Sequence, residues 1–393
     1  MTKKRRNLFC ARILCASILF SLAAPVSAEE TASAVSVEAP EYVLMEPETG
    51  TVILEKDKDV PRSPASVTKV MTLLLIFEEI EKGNLKLDDT VTTSAHAKSM
   101  GGSQVFLEEG ETQTVETMIK CIVIASGNDA SVAMAEHIAG SEAEFVNAMN
   151  KKAQALGMKN THFVDCCGLT DSDDHYTTAY DIALMSRELI RKYPEILNYS
   201  SVWMDTITHN TRQGSKEFGL SNTNRLIRTY EGCVGLKTGS TSKAKFCVSA
   251  VAKRKGITLI AVVMAAPDSR TRVKDASMLF DYGFAKCSLY TDENPGKLPD
   301  LKVIKGIKEK TTLTFGKTFR CLSTDGTTFD KIKKKLILPN EVKAPVKKGQ
   351  KAGELVYYQE NRELGRIPVI YAENVKKAGY LDRLKQTAKE FCL

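Results

Sequence analysis

The chain has 393 residues, of which 43% are hydrophobic and 26% charged. That is enough apolar material for a large core, and more length than one average domain of ~150 residues needs. This composition excludes a collagen-like, low-complexity or wholly disordered chain, and a single long apolar run excludes a polytopic membrane protein. The formal charge of +7 is unevenly spread: residues 1–28 carry five basic and no acidic side chains, residues 29–290 carry 28 basic and 35 acidic (−7), and residues 291–393 carry 22 and 13 (+9). An acidic majority placed first argues against a nucleic-acid binder. A basic tail region suits an anionic surface.

In chain order, Lys3, Lys4, Arg5 and Arg6 form a positive n-region, Leu8 to Pro25 is mostly apolar apart from Arg12, and Val26-Ser27-Ala28 supplies small residues at −3 and −1. This is the order of a secretory signal peptide, with cleavage expected before Glu29; an uncleaved N-terminal anchor is the alternative. Cys10 and Cys15 leave with it. Eight cysteines remain, at 121, 166, 167, 233, 247, 287, 321 and 392. They are scattered through apolar stretches and form no CxxC pair, which favours buried free thiols over a disulfide framework. No HExxH or close His/Cys cluster suggests a metal site.

Residues 29–40 read as a polar linker. Tyr42 to Met45 and Thr51 to Leu54 read as strands joined by Glu46-Pro47-Glu48-Thr49-Gly50. Ser63-Pro64 is expected to open a helix, Ser as N-cap and Pro at the first position, and its body from Val70 to Phe77 is apolar on nearly every face. Further helices are expected over Thr114–Ala125, Ala130–Ile138, Glu142–Leu156 and Ala179–Lys192. Strands follow at Phe246–Lys253 and Ile257–Ala265, then a helix over Ser269–Tyr282. Strands, a helical middle, then strands and a helix predict a sheet covered by helices with one insertion, spanning 41–290. Beyond it, short alternating runs (Leu301–Ile307, Thr311–Phe315, Lys335–Leu338, Leu355–Gln359, Ile367–Val369) predict a small all-β domain over 291–372. The charge run Lys331–Lys335 reads as a solvated turn. Residues 373–393 carry Tyr380, Leu381, Leu384, Ala388 and Phe391 at helical spacing among basic residues, either a helix lying in a membrane interface or one packed on its own domain.

Three short motifs carry chemistry. In Ser66-Val67-Thr68-Lys69, a spacing of three puts a hydroxyl and an amine on one helical face, where a desolvated lysine can act as base to a serine nucleophile. The helix N-terminus beside Ser66 suits an oxyanion. Ser126-Gly127-Asn128 falls in a break between helices: Ser126 could relay a proton to a leaving amine and Asn128 could bind a substrate amide, although such residues are also common in plain turns. Lys237-Thr238-Gly239 stands just before the hairpin strands, offering a cation and a hydroxyl to a carboxylate and a glycine that lets a peptide approach a strand edge.

Together and in this order, SxxK, SxN and KTG are the motif set of penicillin-binding proteins and β-lactamases, with Gly127 where the second motif has Asp. Met100-Gly101-Gly102-Ser103-Gln104-Val105, Asn160-Thr161-His162-Phe163, His175-Tyr176-Thr177-Thr178-Ala179-Tyr180-Asp181 and Gly235-Leu236-Lys237-Thr238-Gly239-Ser240-Thr241 extend the likeness. The chain resembles the low-molecular-weight D-alanyl-D-alanine carboxypeptidases of bacterial walls, closely over 41–285 and more loosely beyond.

The resemblance implies an α/β fold of the β-lactamase/transpeptidase type, an antiparallel sheet flanked by helices plus a helical subdomain, followed by the all-β domain and the amphipathic helix. It implies a serine acyl-transfer enzyme that removes the last D-Ala from peptidoglycan pentapeptides and is acylated by β-lactams, on the outer face of the bacterial membrane. It implies Ser66 as nucleophile, Lys69 as base and Ser126 as proton relay. Lys237, Thr238 and neighbours would hold the terminal carboxylate, with Asn128, Gly239 and Ser240 also on the substrate and the N–H groups of Ser66 and Ser240 forming the oxyanion hole. No metal or organic cofactor is implied. Two segments depart from the family pattern, Val164-Asp165-Cys166-Cys167-Gly168-Leu169 and Ser242-Lys243-Ala244-Lys245, and both bear on substrate preference. A β-lactamase is the first rival, but the nearest Glu-x-x-x-Asn look-alike, Glu195-Ile196-Leu197-Asn198, has the wrong spacing. A sensor or wall-binding module that never turns over is the second.

Overall fold

The structure, a computed structural model, describes residues 35–211 and 214–391. The signal segment, residues 29–34 of the linker, Cys10, Cys15 and Cys392 lie outside them.

The central sheet is antiparallel throughout, in the order β2-β1-β9-β8-β7. Its strands are β1 (Glu41–Glu46), β2 (Thr51–Lys56), β7 (Cys233–Thr241), β8 (Lys245–Arg254) and β9 (Ile257–Ala266). Side chains alternate across a strand. Accordingly Val43, Met45, Ile260, Val262 and Met264 enter one core while Leu44, Leu259, Ala261 and Val263 enter another on the opposite face. Both faces are covered, which is why β9 reads as a continuous apolar run rather than an alternating one.

Numbering only helices of nine residues or more, α1 is Lys69–Glu81, α2 Val115–Val123, α3 Asn128–Ala139, α4 Glu142–Ala155, α5 Ala179–Lys192 and α6 Ser269–Lys286. All of α1 from Lys69 to Phe77 is buried, as expected of a helix without a polar face. Its start departs from expectation: Pro64 takes the cap position with no side-chain bond, and a 3-10 turn over Ala65–Thr68 precedes α1. Ser63 is therefore not the N-cap.

Two antiparallel strand pairs escaped the sequence reading, β3 (Thr90–Thr92) with β4 (Thr112–Thr114), and β5 (Met204–Thr211) with β6 (Gly214–Ser221). Within β5 and β6 only Ile207, His209 and Leu220 are buried, too little alternation to register as a strand pair. The Lys237-Thr238-Gly239 segment lies inside nine-residue β7 rather than ahead of the strands, and β7 is the sheet's edge.

Residues 288–371 are β-rich. Strands β10 (Ser288–Thr291) and β14 (Arg320–Ser323) pair. Strands β11 (Leu301–Ile304), β12 (Lys310–Thr311) and β16 (Glu341–Lys343) form a second sheet. Strands β13 (Leu313–Phe315), β15 (Lys333–Ile337), β17 (Lys351–Gln359) and β18 (Arg362–Tyr371) form a third. Lys333–Lys335 thus stand in an exposed edge strand rather than a turn, where lysines hinder edge-to-edge association. Helix α7 (Tyr380–Phe391) follows. Among the described residues the cysteines are free thiols, buried except Cys321.

One loop positions the site. The Asp165 carboxylate accepts the backbone N–H groups of Cys167, Gly168, Leu169 and Thr170. Burial pushes that carboxyl up, but His175 and these N–H groups outweigh it and hold it below the usual carboxylate range. His175 accepts from Val164 N–H at Nδ1 (3.1 Å), so Nε2 carries the proton toward Thr68 Oγ1 at 2.8 Å. Burial holds this imidazole below its ordinary value, against the pull of Asp165. The loop thereby packs on the 3-10 turn, and a Cβ at Gly168, with φ +76°, would lie 1.9 Å from Ala65 O. Gly168→Ala is expected to lower stability by more than ~2 kcal/mol through both clash and backbone strain, whereas Gly219→Ala, which meets open space, stays within ~0.5 kcal/mol. Denaturant melts of the two variants check this; equal stabilities would show that the loop can move off the turn.

Candidate active site

Residues three apart in a 3-10 turn stand one above the other. Ser66 in the turn and Lys69 just past it follow this geometry, with Lys69 Nζ 3.0 Å from Ser66 Oγ. Ala65 before the serine has φ +48°, a strained value for a residue with a Cβ.

Lys69 is fully buried and has two further partners, Asn128 Oδ1 at 2.5 Å and the Cys167 carbonyl at 2.8 Å. Burial lowers its pKa, partly opposed by Cys167, Cys166, Asp165 and Asp129. Those two oxygens can only accept. A neutral amine has two N–H groups and one lone pair; once both N–H groups serve Asn128 and Cys167, the lone pair faces the Ser66 hydroxyl. Protonated, the same nitrogen donates to all three. The site therefore fits both states of the lysine, and in the neutral one the base points at the nucleophile.

Asn128, expected on the substrate, has a second role that the sequence reading did not include. Its Oδ1 is held by Lys69 and its Nδ2 donates to Gly101 O at 2.7 Å, while the residue is 2% exposed. Asn128 therefore positions Lys69, while its second Nδ2 hydrogen makes no hydrogen bond among the described residues and stays available to a substrate carbonyl. Ser126, with φ +63°, is buried in the α2–α3 connection, and its hydroxyl makes no hydrogen bond among the described residues.

β7 forms the facing wall. A Cβ at Gly239 would lie 2.7 Å from Pro64 O and 2.8 Å from Ser66 N, so only glycine lets the strand edge come this close to the Ser66 turn. Lys237 is 1% exposed and donates to Thr238 O at 3.0 Å. Burial, then Lys69 and Arg272, push its pKa well down. Thr238 Oγ1 donates to Thr223 Oγ1 at 2.7 Å. Ser240 is exposed at the rim.

Arg272 was missed by sequence reading. It lies in the first turn of α6, donates from Nη1 to Gly239 O (3.4 Å) and Cys247 O (3.3 Å), and leaves Nε buried without a partner. Burial pulls it down to about 10. Lys237 in β7 and Arg272 behind it thus put two desolvated basic groups with spare donors at the KTG segment; an anion there would favour their charged forms. Thr223, also missed, adds a hydroxyl. Neither has a local motif, because their roles arise only when the β6–β7 connection and α6 pack on β7. A cavity of about 890 Å³ lined by Glu231, Arg254, Asp281 and Phe284 contains none of these residues; the site is an open strand edge. Among the described residues no group of three or more His, Cys, Asp or Glu could hold a metal ion.

A nucleophilic hydroxyl, a buried amine beside it, a strand edge open to an extended peptide and buried cations at one end suit acyl transfer from a peptide that ends in a carboxylate. Comparison with known proteins agrees. Residues 28–268 match the family described as D-alanyl-D-alanine carboxypeptidase, and residues 292–377 match the C-terminal domain of penicillin-binding protein 5. The chain is 44% identical to the D-alanyl-D-alanine carboxypeptidase DacF of Bacillus subtilis, over 89% of each chain, and 31% identical to DacC of Escherichia coli, over 91% of this chain and 89% of that one. Among solved structures, penicillin-binding protein 5 from Haemophilus influenzae superposes with a TM-score of 0.65 at 28% identity, covering 87% of this chain and 98% of that one. The Streptomyces K15 DD-transpeptidase does so with a TM-score of 0.59 at 30% identity, over 64% and 98%. Motifs, fold and relatives converge: this chain belongs to the D-alanyl-D-alanine carboxypeptidase family.

Proposed function

We propose that the protein removes the terminal D-alanine from peptidoglycan pentapeptides through an acyl-enzyme on Ser66. The observation that carries this reading is the 3.0 Å contact between the Ser66 hydroxyl and the buried Lys69 amine, set against the Gly239 strand edge. The pentapeptide tail lies along β7 with its carboxylate toward Lys237, Thr238 and Arg272. Lys69 takes the Ser66 proton as Oγ attacks the carbonyl between the two D-alanines. The N–H groups of Ser66 and Ser240 receive the oxyanion, and the proton passes through Ser126 to the nitrogen of the departing D-Ala. Water then attacks the ester, Lys69 again accepts the proton, and the tetrapeptide leaves with Ser66 restored. A β-lactam, whose strained amide and carboxylate mimic the D-Ala-D-Ala end, enters the same path and stops at the ester.

Export and attachment to the outer face of the membrane complete the proposal. The residues 1–28 pattern supports export. For attachment, α7 exposes Tyr380, Leu381 and Leu384, which are 81%, 72% and 51% accessible, on a short helix with basic neighbours. Among the described residues no helix is long and apolar enough to cross a membrane.

Three outcomes are expected. Residues 29–393 should release D-alanine from diacetyl-Lys-D-Ala-D-Ala, and Ser66→Ala should lose both release and covalent penicillin labelling; labelling that survives would overturn the nucleophile, and labelling of the parent without release would favour a sensor. The rate of penicillin acylation should rise with pH to a plateau reached below the ordinary lysine value of 10.5, since Lys69 must be neutral and burial lowers its pKa; Lys69→Arg, which cannot deprotonate, should be at least ~10²-fold slower. Anionic vesicles should sediment residues 29–393 but not residues 29–378, and equal sedimentation would rule out attachment through α7.

A further inference from the structure

The groove has a second charged feature beyond the cations that face the terminal carboxylate. With that carboxylate toward Lys237 and the attacked carbonyl at Ser66 and Ser240, the substrate must run antiparallel to β7. Its upstream residues then pass Ser240 and Thr241 at ~3.4 Å per residue and reach the turn formed by Ser242, Lys243 and Ala244. The opposite wall arrives at the same place. Asp165 pins the backbone of residues 167–170 beside the Ser66 turn, and the chain continues as Asp171-Ser172-Asp173-Asp174 until it meets that turn. There Lys243 Nζ donates to Asp171 O at 2.8 Å and to Asp173 Oδ1 at 2.6 Å, bridging the upstream end of the groove.

This ion pair is poorly explained as a fold element. The Asp173 side chain is fully accessible and that of Lys243 is 34% accessible, so the pair adds little stability. Each partner keeps capacity: the ammonium has a third N–H, and Asp173 Oδ2 makes no hydrogen bond among the described residues. A lone amine entering here meets the positive Lys243, and a lone carboxylate meets the negative Asp173. A group carrying both charges on one carbon satisfies both.

Building on the carboxypeptidase reading, we propose that Lys243 and Asp173 select the residue just upstream of the D-Ala-D-Ala pair, and that this residue is a diamino dicarboxylic acid whose side chain ends in a free ammonium and carboxylate. The side-chain carboxylate exchanges onto Lys243 and the ammonium onto Asp173, so the bridge opens around the substrate and both charges stay paired.

The test compares kcat/KM for D-Ala release from three peptides differing only at that residue: meso-diaminopimelate, L-lysine with a free amine, and acylated L-lysine. The zwitterionic peptide should exceed the acylated one by about three- to tenfold, mainly through KM, and the free amine should be no better than the acylated form. Lys243→Ala and Asp173→Asn should each bring the first ratio to within about twofold of one, while Lys243→Arg keeps it; a merely structural bridge would slow all three peptides together. A wild-type ratio of one, an equal gain for the free amine, or a ratio unchanged in both variants would overturn the selection while leaving the carboxypeptidase intact. No Ser66-dependent release from any peptide would overturn both.

Discussion

Taking a lysine amine wholly out of water disfavours its charged form, and Lys69 is held in that condition by three oxygens from three separate parts of the chain. The 3-10 turn brings the Ser66 hydroxyl, the first residue of α3 brings the Asn128 amide, and the Asp165 loop brings the Cys167 carbonyl. None of these elements is fixed by the others' sequence, so the amine is where the sheet-bound helix α1, the helical insertion and the loop are brought into register. The supports behind them are backbone devices: Gly101 O orients the Asn128 amide, four N–H groups orient Asp165, and the His175 ring spans Val164 and Thr68. The reacting atoms are thus fixed by groups that do not themselves react, which is how a site keeps its geometry before substrate arrives.

The chemistry was legible wherever it was local. A serine and lysine three apart ahead of an all-apolar helix can be read from one line of sequence, and so can the glycine that admits a neighbouring backbone. The sheet was legible at β8 and β9 because burial on both faces leaves long apolar runs. What stayed hidden depends on distant packing. Asn128 reads as a substrate ligand in its motif, and only the fold shows that it also holds the Lys69 amine. Arg272 sits among ordinary polar residues of α6, and its importance comes from lying behind Gly239. The hairpin β5–β6 is polar on most of its surface, so no periodicity marks it. The start of α1 was misjudged because Ser-Pro is a good capping pair; the chain instead uses a 3-10 turn, in which Ser66 stands over Lys69.

Charge is divided along the chain in the same spirit. The catalytic portion is acidic overall, yet its groove concentrates two buried basic groups, Lys237 and Arg272, withheld from solvent rather than numerous. The C-terminal portion is basic through many exposed lysines in β-strands and turns, each cheaply solvated. One arrangement favours a single anion at a fixed point, and the other favours a diffuse anionic surface.

The two buried cations behind the KTG strand also set a ruler. In the proposed pose a peptide lying along β7 brings a negative terminus against Lys237 and Arg272, whereas a chain that continued past this point would offer them a neutral amide in place of a charge and leave both uncompensated in a dry setting. In that pose the distance from those groups to Ser66 would fix how much of the substrate lies beyond the cut. The proposed pose would make the enzyme exo-acting by electrostatics, counting one residue in from a free end without needing a wall to stop the chain.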